Sequence, residues 1–155
     1  MKKTILILSL LISSFLISSG CKTYSKEDKN SFNQKIEKFL KKHKLTKYKH
    51  SESGLYYYVK KEGTGDYIKL TDNVSFTYVG KLINGQLFDG EHQKKPVSFP
   101  VIELIEGWKE GMLYLKKGGS ATFIVPPQLG YGDYDLDAIP PNSILIFNIS
   151  IKNVN

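Results

Sequence analysis

The feature that most constrains this chain is a ten-residue segment, residues 73–82, in which apolar and polar side chains alternate. The apolar side chains that would share one face are Val74, Phe76, Tyr78 and Leu82. A period of two predicts a β-strand with one face buried. Asn84-Gly85 follows, the strongest short signal for a hairpin turn, so residues 86–89 should begin a return strand. The segment therefore predicts an antiparallel sheet.

Further strands are predicted where β-branched and aromatic residues are dense, at residues 55–60, 120–125 and 143–151. Gly and Pro separate these segments and mark the turns. Residues 101–108 predict one or two helical turns laid across the sheet, with Gly107 near the C-terminal end. The expected fold class is therefore α+β, an antiparallel sheet wrapped around one short helix, in a domain formed by residues 53–155.

The positive charge of the chain is concentrated before this domain. The formal net charge is +7, yet residues 51–155 hold ten Lys against twelve Asp and Glu, whereas residues 22–50 hold ten Lys against three acids. The chain contains no Arg, so the bidentate contacts that Arg makes with bases and phosphates are unavailable. The charge pattern argues against nucleic-acid binding.

Residues 1–20 have the layout of a lipoprotein signal peptide. Two lysines precede a 13-residue, mostly apolar segment, residues 5–17, which is shorter than the roughly 20 residues that cross a bilayer. Ser-Ser-Gly then leads into Cys21, an order that resembles a bacterial lipobox, and the resemblance implies that the Cys21 thiol carries a diacylglycerol. The alternatives are a short transmembrane anchor, or a secreted protein with a free thiol. Cys21 is the single cysteine, so no intramolecular disulfide can form.

Residues 21–52 are predicted to be a Lys-rich tether that contains a short helix. Its apolar side chains fall on one helical face: Phe32, Ile36, Phe39 and Leu40. Ser31 is the candidate N-cap. The helix is interpreted as a spacer, with a basic helix on anionic headgroups and a dimerisation helix as alternatives. His43 and His50 lack a third nearby ligand and are interpreted as solvated side chains.

Five short motifs occur in order along the predicted domain. They are Tyr78-Val79-Gly80-Lys81-Leu82, Gly85-Gln86-Leu87-Phe88-Asp89, Leu104-Ile105-Glu106-Gly107-Trp108, Gly130-Tyr131-Gly132 and Ile139-Pro140-Pro141-Asn142. Together they resemble the FKBP-type peptidyl-prolyl cis–trans isomerases, over roughly residues 53–151. Each motif is weak alone, and their order and spacing give the resemblance its specificity.

The resemblance implies a cleft that binds proline, without cofactor or metal. Its implied catalytic residues are Tyr78, Asp89, Trp108, Tyr131 and Phe147. Its implied substrate-binding residues are Phe88, Val97, Leu104, Ile105 and Ile139, with the Ile105 backbone N–H donating to a substrate carbonyl. Without the resemblance, the aromatic residues of this set would be interpreted as ordinary core.

Two features depart from the family pattern. Val97 follows Pro96 where the family often has Phe, which predicts a shallower pocket and weaker binding of macrolide inhibitors. Gly90-Glu91-His92 replaces a usual Ser-Ser, and His92 is expected to be exposed rather than catalytic. The acidic loop of residues 132–139 lacks the Gly and Glu of a calcium-binding EF-hand, so it is interpreted as solvated, or as a preference for basic residues beside the substrate proline.

The resemblance implies an isomerase acting on proline-containing exported polypeptides. With the lipidated cysteine, it would be held at a bacterial membrane, on the periplasmic side of an outer membrane or the outer face of a cell membrane. The alternatives are a non-catalytic peptide-binding or chaperone module on the same fold, and a structural lipoprotein whose domain serves in assembly.

Overall fold

A computed structural model describes residues 23–90 and 96–155 of the chain. The predicted signal peptide, the proposed lipid attachment at Cys21 and the loop residue His92 lie outside these ranges. Within the described residues, no helix combines the length and the apolar character needed to cross a membrane.

The described residues form two α-helices and nine strands. The helices are α1 (Lys26–Lys42) and α2 (Glu106–Met112). The strands are β1 (Lys49–His50), β2 (Tyr56–Lys61), β3 (Thr64–Tyr67), β4 (Asn73–Leu82), β5 (Leu87–Asp89), β6 (Val97–Pro100), β7 (Lys116–Lys117), β8 (Ser120–Val125) and β9 (Leu145–Val154).

The main sheet is antiparallel throughout, in the order β1-β2-β8-β9-β4-β5, and β6 also pairs with β4. Strand β4 buries every second residue, as its alternation predicts. The hairpin turn is also present, because Gly85 has a φ of +93° and its N–H donates to the carbonyl of Leu82 at 2.8 Å. The predicted α+β fold, an antiparallel sheet wrapped around a short helix, is confirmed.

Helix α2 packs closely against β8 because two of its residues have no side chain. A Cβ on Gly107 would lie 2.7 Å from Val125 Cγ1, and one on Gly111 would lie 2.6 Å from Phe123 Cε2. The sequence-based boundary of this helix was wrong. Gly107 lies in the first turn of α2, not at its end, because residues 101–103 form a separate 3-10 turn and Ile105 is extended, with a ψ of 152°.

Helix α1 covers the opposite face of the sheet. It begins at a capping box, in which the Ser25 hydroxyl accepts from the Asp28 N–H while the Asp28 carboxylate accepts from the Ser25 N–H, so Ser31 is not the cap. Phe32 and Ile36 are buried in a cluster that also contains Tyr56, Ile124 and Ile144. The helix is therefore packed on the domain along its apolar face.

Candidate functional site

Trp108 of α2 lies at the centre of a group of aromatic rings between the helix and the sheet. The indole is fully buried, and three rings meet it edge to face. The centroid distances from Trp108 are 5.2 Å to Phe76, 5.0 Å to Tyr78 and 4.8 Å to Phe147. Its Nε1 is buried and has no hydrogen-bond partner within the described part of the chain. The group is thus an apolar ring cluster that contains one donor without a partner among the described residues.

Gly80 allows the rings of Phe88 and Phe147 to pack closely against strand β4. A Cβ at this position would lie 2.7 Å from the Phe88 ring and 3.1 Å from the ring of Phe147. The two phenylalanine rings themselves are perpendicular, with centroids 5.6 Å apart. The glycine of the Tyr78-Val79-Gly80 motif is therefore required by the packing of the two rings above it.

A polar pair borders the aromatic group. The Tyr78 hydroxyl donates to Asp89 Oδ2, which joins β4 to the end of β5. Burial, and then the bond to Asp89, raise the pKa of Tyr78 above its ordinary value. Burial, and then the charge of Asp89, likewise raise the pKa of Tyr131. Both phenols therefore stay protonated and able to donate at neutral pH, beside one carboxylate.

The backbone before α2 supplies another donor. Ile105 is the N-terminal cap residue of the helix, and its N–H makes no hydrogen bond to another described group. Its side chain is half-buried against the main core. The Ile105 N–H and the Trp108 indole therefore both belong to the first turn of α2.

The remaining predicted site residues lie on the same core. Leu104 and Ile139 are buried in it, and Val97 and Tyr131 are half-buried against it. Tyr131 begins a loop, residues 131–142, in which Leu136 and Ile139 pair through two backbone hydrogen bonds. We call residues 131–142 the flap. Its acidic side chains are exposed, namely Asp133, Asp135 and Asp137.

Sequence reasoning missed two rings of the site. Phe76 meets Trp108 edge to face, with ring centroids 5.2 Å apart. The ring centroid of Phe99 lies 6.2 Å from that of Phe76. The alternation of β4 already placed Phe76 on the face of Tyr78, and this was the signal available for it. Phe99 lies two residues after Val97 on β6 and supplies an aromatic ring near the position where the family motif would place one.

Two grooves reach residues of the site: one is lined in part by Tyr78 and the other in part by Tyr131. A groove of about 310 Å³ includes Lys60, Val79 and Asn148 among its lining residues, and one of about 260 Å³ lies between residues 23–29 and the start of the flap. No group of three or more His, Cys, Asp or Glu suited to a metal occurs in residues 23–90 and 96–155.

Comparison with protein families gives a match to the FKBP-type peptidyl-prolyl cis-trans isomerase family over residues 65–152. A probable FKBP-type peptidyl-prolyl cis-trans isomerase of Haemophilus influenzae is 46% identical over 109 residues, which cover 69% of this chain and 45% of that protein. FkpA of Escherichia coli K12 is 40% identical over 119 residues, 76% of this chain and 43% of that protein. The chain thus matches about half the length of these curated relatives.

Solved structures give a similar result. The crystal structure of FkpA from Escherichia coli has a TM-score of 0.72 and 36% sequence identity, covering 84% of this chain and 62% of that chain. The crystal structure of AtFKBP13 has a TM-score of 0.61 and 34% identity, covering 70% of this chain and 98% of that one.

Proposed function

Because this chain belongs to the FKBP-type peptidyl-prolyl cis-trans isomerase family, we propose that it catalyses rotation about X–Pro bonds in polypeptides. The observation that carries the proposal is the buried Trp108 floor with its three edge-to-face rings and the Tyr78–Asp89 pair at its border. The matched segment comprises most of the described domain.

The chemistry requires neither a nucleophile nor a metal. Amide resonance gives the X–Pro bond a rotational barrier of about 20 kcal/mol. In the transition state the amide is twisted, so its resonance and its carbonyl polarity are reduced. Water stabilises the planar, polar ground state better than it stabilises the twisted state. A water-excluding aromatic cleft therefore lowers the barrier by favouring the twisted amide.

Each side chain has a place in this mechanism. Trp108 would form the floor beneath the proline ring, with Tyr78, Phe88 and Phe147 as walls. Leu104, Val97 and Ile139 would complete the apolar enclosure. The Ile105 N–H would donate to the substrate carbonyl and hold the chain in register, which supplies orientation. These roles rest on the geometry of the ring group and on the family pattern.

The polar border would act on the amide itself. Tyr78 holds the Asp89 carboxylate by a hydrogen bond, and Asp89 would face the twisted amide. The hydroxyl of Tyr131 would donate to a substrate carbonyl. Because neither phenol ionises at neutral pH, both remain donors throughout the cycle.

Macrolide inhibitors should bind this cleft weakly. Val97 is smaller than the Phe that the family often has, and it is only half-buried. The apolar area that a macrolide can bury at this position is therefore reduced. Titration with a macrolide, compared with a Val97→Phe variant, tests this: the variant should bind more tightly.

The proposed activity is tested by following cis-to-trans relaxation of a short X–Pro–Phe peptide. The wild type should accelerate relaxation, and Trp108→Leu and Asp89→Ala should each reduce kcat/KM by about tenfold or more. The matched control is Tyr134→Phe, an exposed tyrosine of the flap. A folded wild type without acceleration would favour the peptide-binding module, and the next step would be to identify its bound client.

We also propose that the chain is exported and lipidated at Cys21. The support is the sequence pattern of residues 1–21. Tyr24 is already buried on the domain, so three peptide units, at most about 11 Å, would separate the lipid-bearing residue from the fold. The active-site domain would then lie close to the bilayer, where it would act on exported polypeptides containing proline.

Metabolic labelling with a palmitate analogue tests this anchor. The wild type should incorporate label and partition with membranes, and Cys21→Ser should do neither. Label in both proteins, or in neither, contradicts attachment at Cys21. The isomerase assay is independent of the result.

A further inference from the structure

Tyr24 joins the segment before α1 to the far end of the flap. It is 7% exposed, and its ring meets Phe32 of α1 edge to face at 5.4 Å between centroids. Its hydroxyl donates to Asn142 Oδ1 at 2.7 Å, although the two residues are 118 positions apart. A side chain outside the matched family segment therefore contacts the loop that begins with Tyr131.

Asn142 links the two ends of the flap. Its backbone N–H donates to the carbonyl of Gly132 at 2.8 Å. Its φ is +60°, in the left-handed region that Asn and Asp tolerate better than most other side chains. The backbone of Asn142 thus binds one end of the flap, while its side chain accepts from Tyr24.

The Tyr24 hydroxyl also lies beside the near end of the flap. A Cβ on Gly132 would be 3.7 Å from this oxygen, and Gly132 directly follows Tyr131. Tyr24, Tyr131 and Gly132 also line the same 260 Å³ groove. The hydroxyl therefore lies at the point where the two ends of the flap meet.

Helix α1 gives this contact a rigid base. Its first turn is fixed by the capping box of Ser25 and Asp28, and Ile36 is completely buried against the sheet. A loop held at its base by a buried partner next to a packed helix has fewer accessible conformations than a free loop. Active-site geometry depends on such supporting contacts.

We propose that Tyr24 is a positioning residue that fixes the base of the flap and, through it, the orientation of Tyr131 toward the substrate. The N-terminal segment is then part of the working domain. This inference rests on the proposed isomerase function only where turnover is measured. The restraint of the flap can be measured whether or not the protein is active.

The test compares Tyr24→Phe with Tyr56→Phe in the full-length protein. Tyr56→Phe is the matched control, because the Tyr56 hydroxyl also joins α1 to the sheet, donating to Glu37 Oε1 at 3.3 Å, and among the described residues it makes no hydrogen bond to the flap. Two quantities are measured: amide hydrogen exchange at Asn142, Leu136 and Ile139, and kcat/KM with the X–Pro peptide. Tyr24→Phe should speed exchange and lower kcat/KM by about two- to tenfold, the range that one net hydrogen bond allows. Tyr56→Phe should change neither.

Two variants of Asn142 make the result specific. Asn142→Asp keeps an oxygen acceptor and should retain slow exchange, whereas Asn142→Gly suits the positive φ, lacks the acceptor and should match Tyr24→Phe. The double variant Tyr24→Phe/Asn142→Gly should be no worse than either single variant, because both remove one contact. Additive effects, equal effects of Tyr24→Phe and Tyr56→Phe, or unchanged exchange in Tyr24→Phe would overturn the proposal. A wild type without turnover would refute the isomerase function, while the exchange data would still decide the restraint.

Discussion

The indole N–H of Trp108 is an uncommon feature at the scale of single residues. A buried donor without a partner costs about 1–3 kcal/mol, and this one belongs to a fully buried indole and has no partner within the described part of the chain. Three edge-to-face contacts, each worth about 0.5–1.5 kcal/mol, offset that cost. These contacts hold Trp108 at the centre of the ring group, where it is the proposed floor of the proline site.

The pH dependence of turnover should follow the two site phenols. The ordinary pKa of tyrosine is 10.0, and burial raises the pKa of both Tyr78 and Tyr131 above it. A raised pKa favours the protonated form in the folded state, so both donors persist up to pH 10 and are lost only at higher pH. Between pH 7 and 10 these two residues should cause no fall in kcat/KM, measured against the uncatalysed rate at each pH. A fall near pH 8 that Tyr131→Phe abolishes would contradict this assignment.

The exposed flap acids bear on the choice of substrate. Asp135 is exposed at the flap that Tyr131 begins, where its charge would attract a basic residue next to the substrate proline. Exposed pairs contribute roughly 0.2–1 kcal/mol, so Asp135→Asn should lower kcat/KM by at most about fivefold on a Lys-flanked proline and leave a neutral peptide unchanged. The measurement is turnover on the two peptides at low salt. Equal effects on both peptides would refute the preference.

At the scale of secondary structure, the contact between α2 and β8 makes an unusual prediction about a helical glycine. Gly→Ala within an exposed helix stabilises by about 0.5–1 kcal/mol. Gly111→Ala should instead destabilise, because the new Cβ would lie 2.6 Å from the Phe123 ring. Overpacking of this kind costs about 1–3 kcal/mol, measured as the free energy of unfolding in urea.

A second substitution distinguishes a steric cause from a backbone cause. Gly111→Ala combined with Phe123→Leu should be more stable than the sum of the two single effects predicts, because the smaller side chain makes room for the methyl group. Lys109→Ala, in the same helix, is the control. Simple additivity would mean that the close approach of α2 to β8 is not the cause.

Local sequence patterns predicted some elements well and others poorly. The alternation of β4 and the Asn84-Gly85 turn are encoded within a few residues, so both could be predicted. The start of α1 could not, because the apolar spacing begins at Phe32 whereas the cap at Ser25 lies among polar residues. The start of α2 is likewise set by the extended backbone of Ile105, which the local apolar spacing does not mark.

The candidate site was reached by motif rather than by periodicity. Trp108 and Phe147 come from separate segments, and only their order along the chain resembled a known family. The structure brings their rings within 4.8 Å, and their roles in turnover stay a prediction. The Tyr24–Asn142 contact had no sequence signal, since a hydrogen bond across 118 positions depends on tertiary structure alone.

At the scale of the whole molecule, the positive charge is concentrated on α1 and the residues after it, rather than at the proposed proline cleft. The apolar face of α1 is buried on the sheet, so its lysines project into solvent and continue beyond the helix. The exposed lysines of this patch are Lys35, Lys38, Lys41, Lys42, Lys44, Lys47 and Lys49, with Glu37 as the one acid among residues 35–49. With its apolar face covered, α1 would meet a bilayer through charge rather than by insertion.

Such a patch should bind anionic lipid in a salt-dependent way. Each Lys near an anionic surface contributes about 1 kcal/mol, screened over about 10 Å at 0.1 M salt. Residues 23–155 should therefore sediment with vesicles of phosphatidylglycerol and phosphatidylcholine at low salt, and not with phosphatidylcholine alone. Replacing Lys38, Lys41 and Lys42 by Gln should weaken binding by about tenfold or more.

The matched control replaces three exposed lysines of the domain, Lys61, Lys81 and Lys152, by Gln. Both triple variants lose the same net charge, so only the position of the charge differs between them. Weaker binding in the α1 variant alone would mean that this face meets the membrane, and would orient the proposed lipid anchor and the helix toward the same surface. Equal weakening would mean that net charge alone attracts the protein, and α1 would then serve only to cover the sheet and hold Tyr24 against the flap.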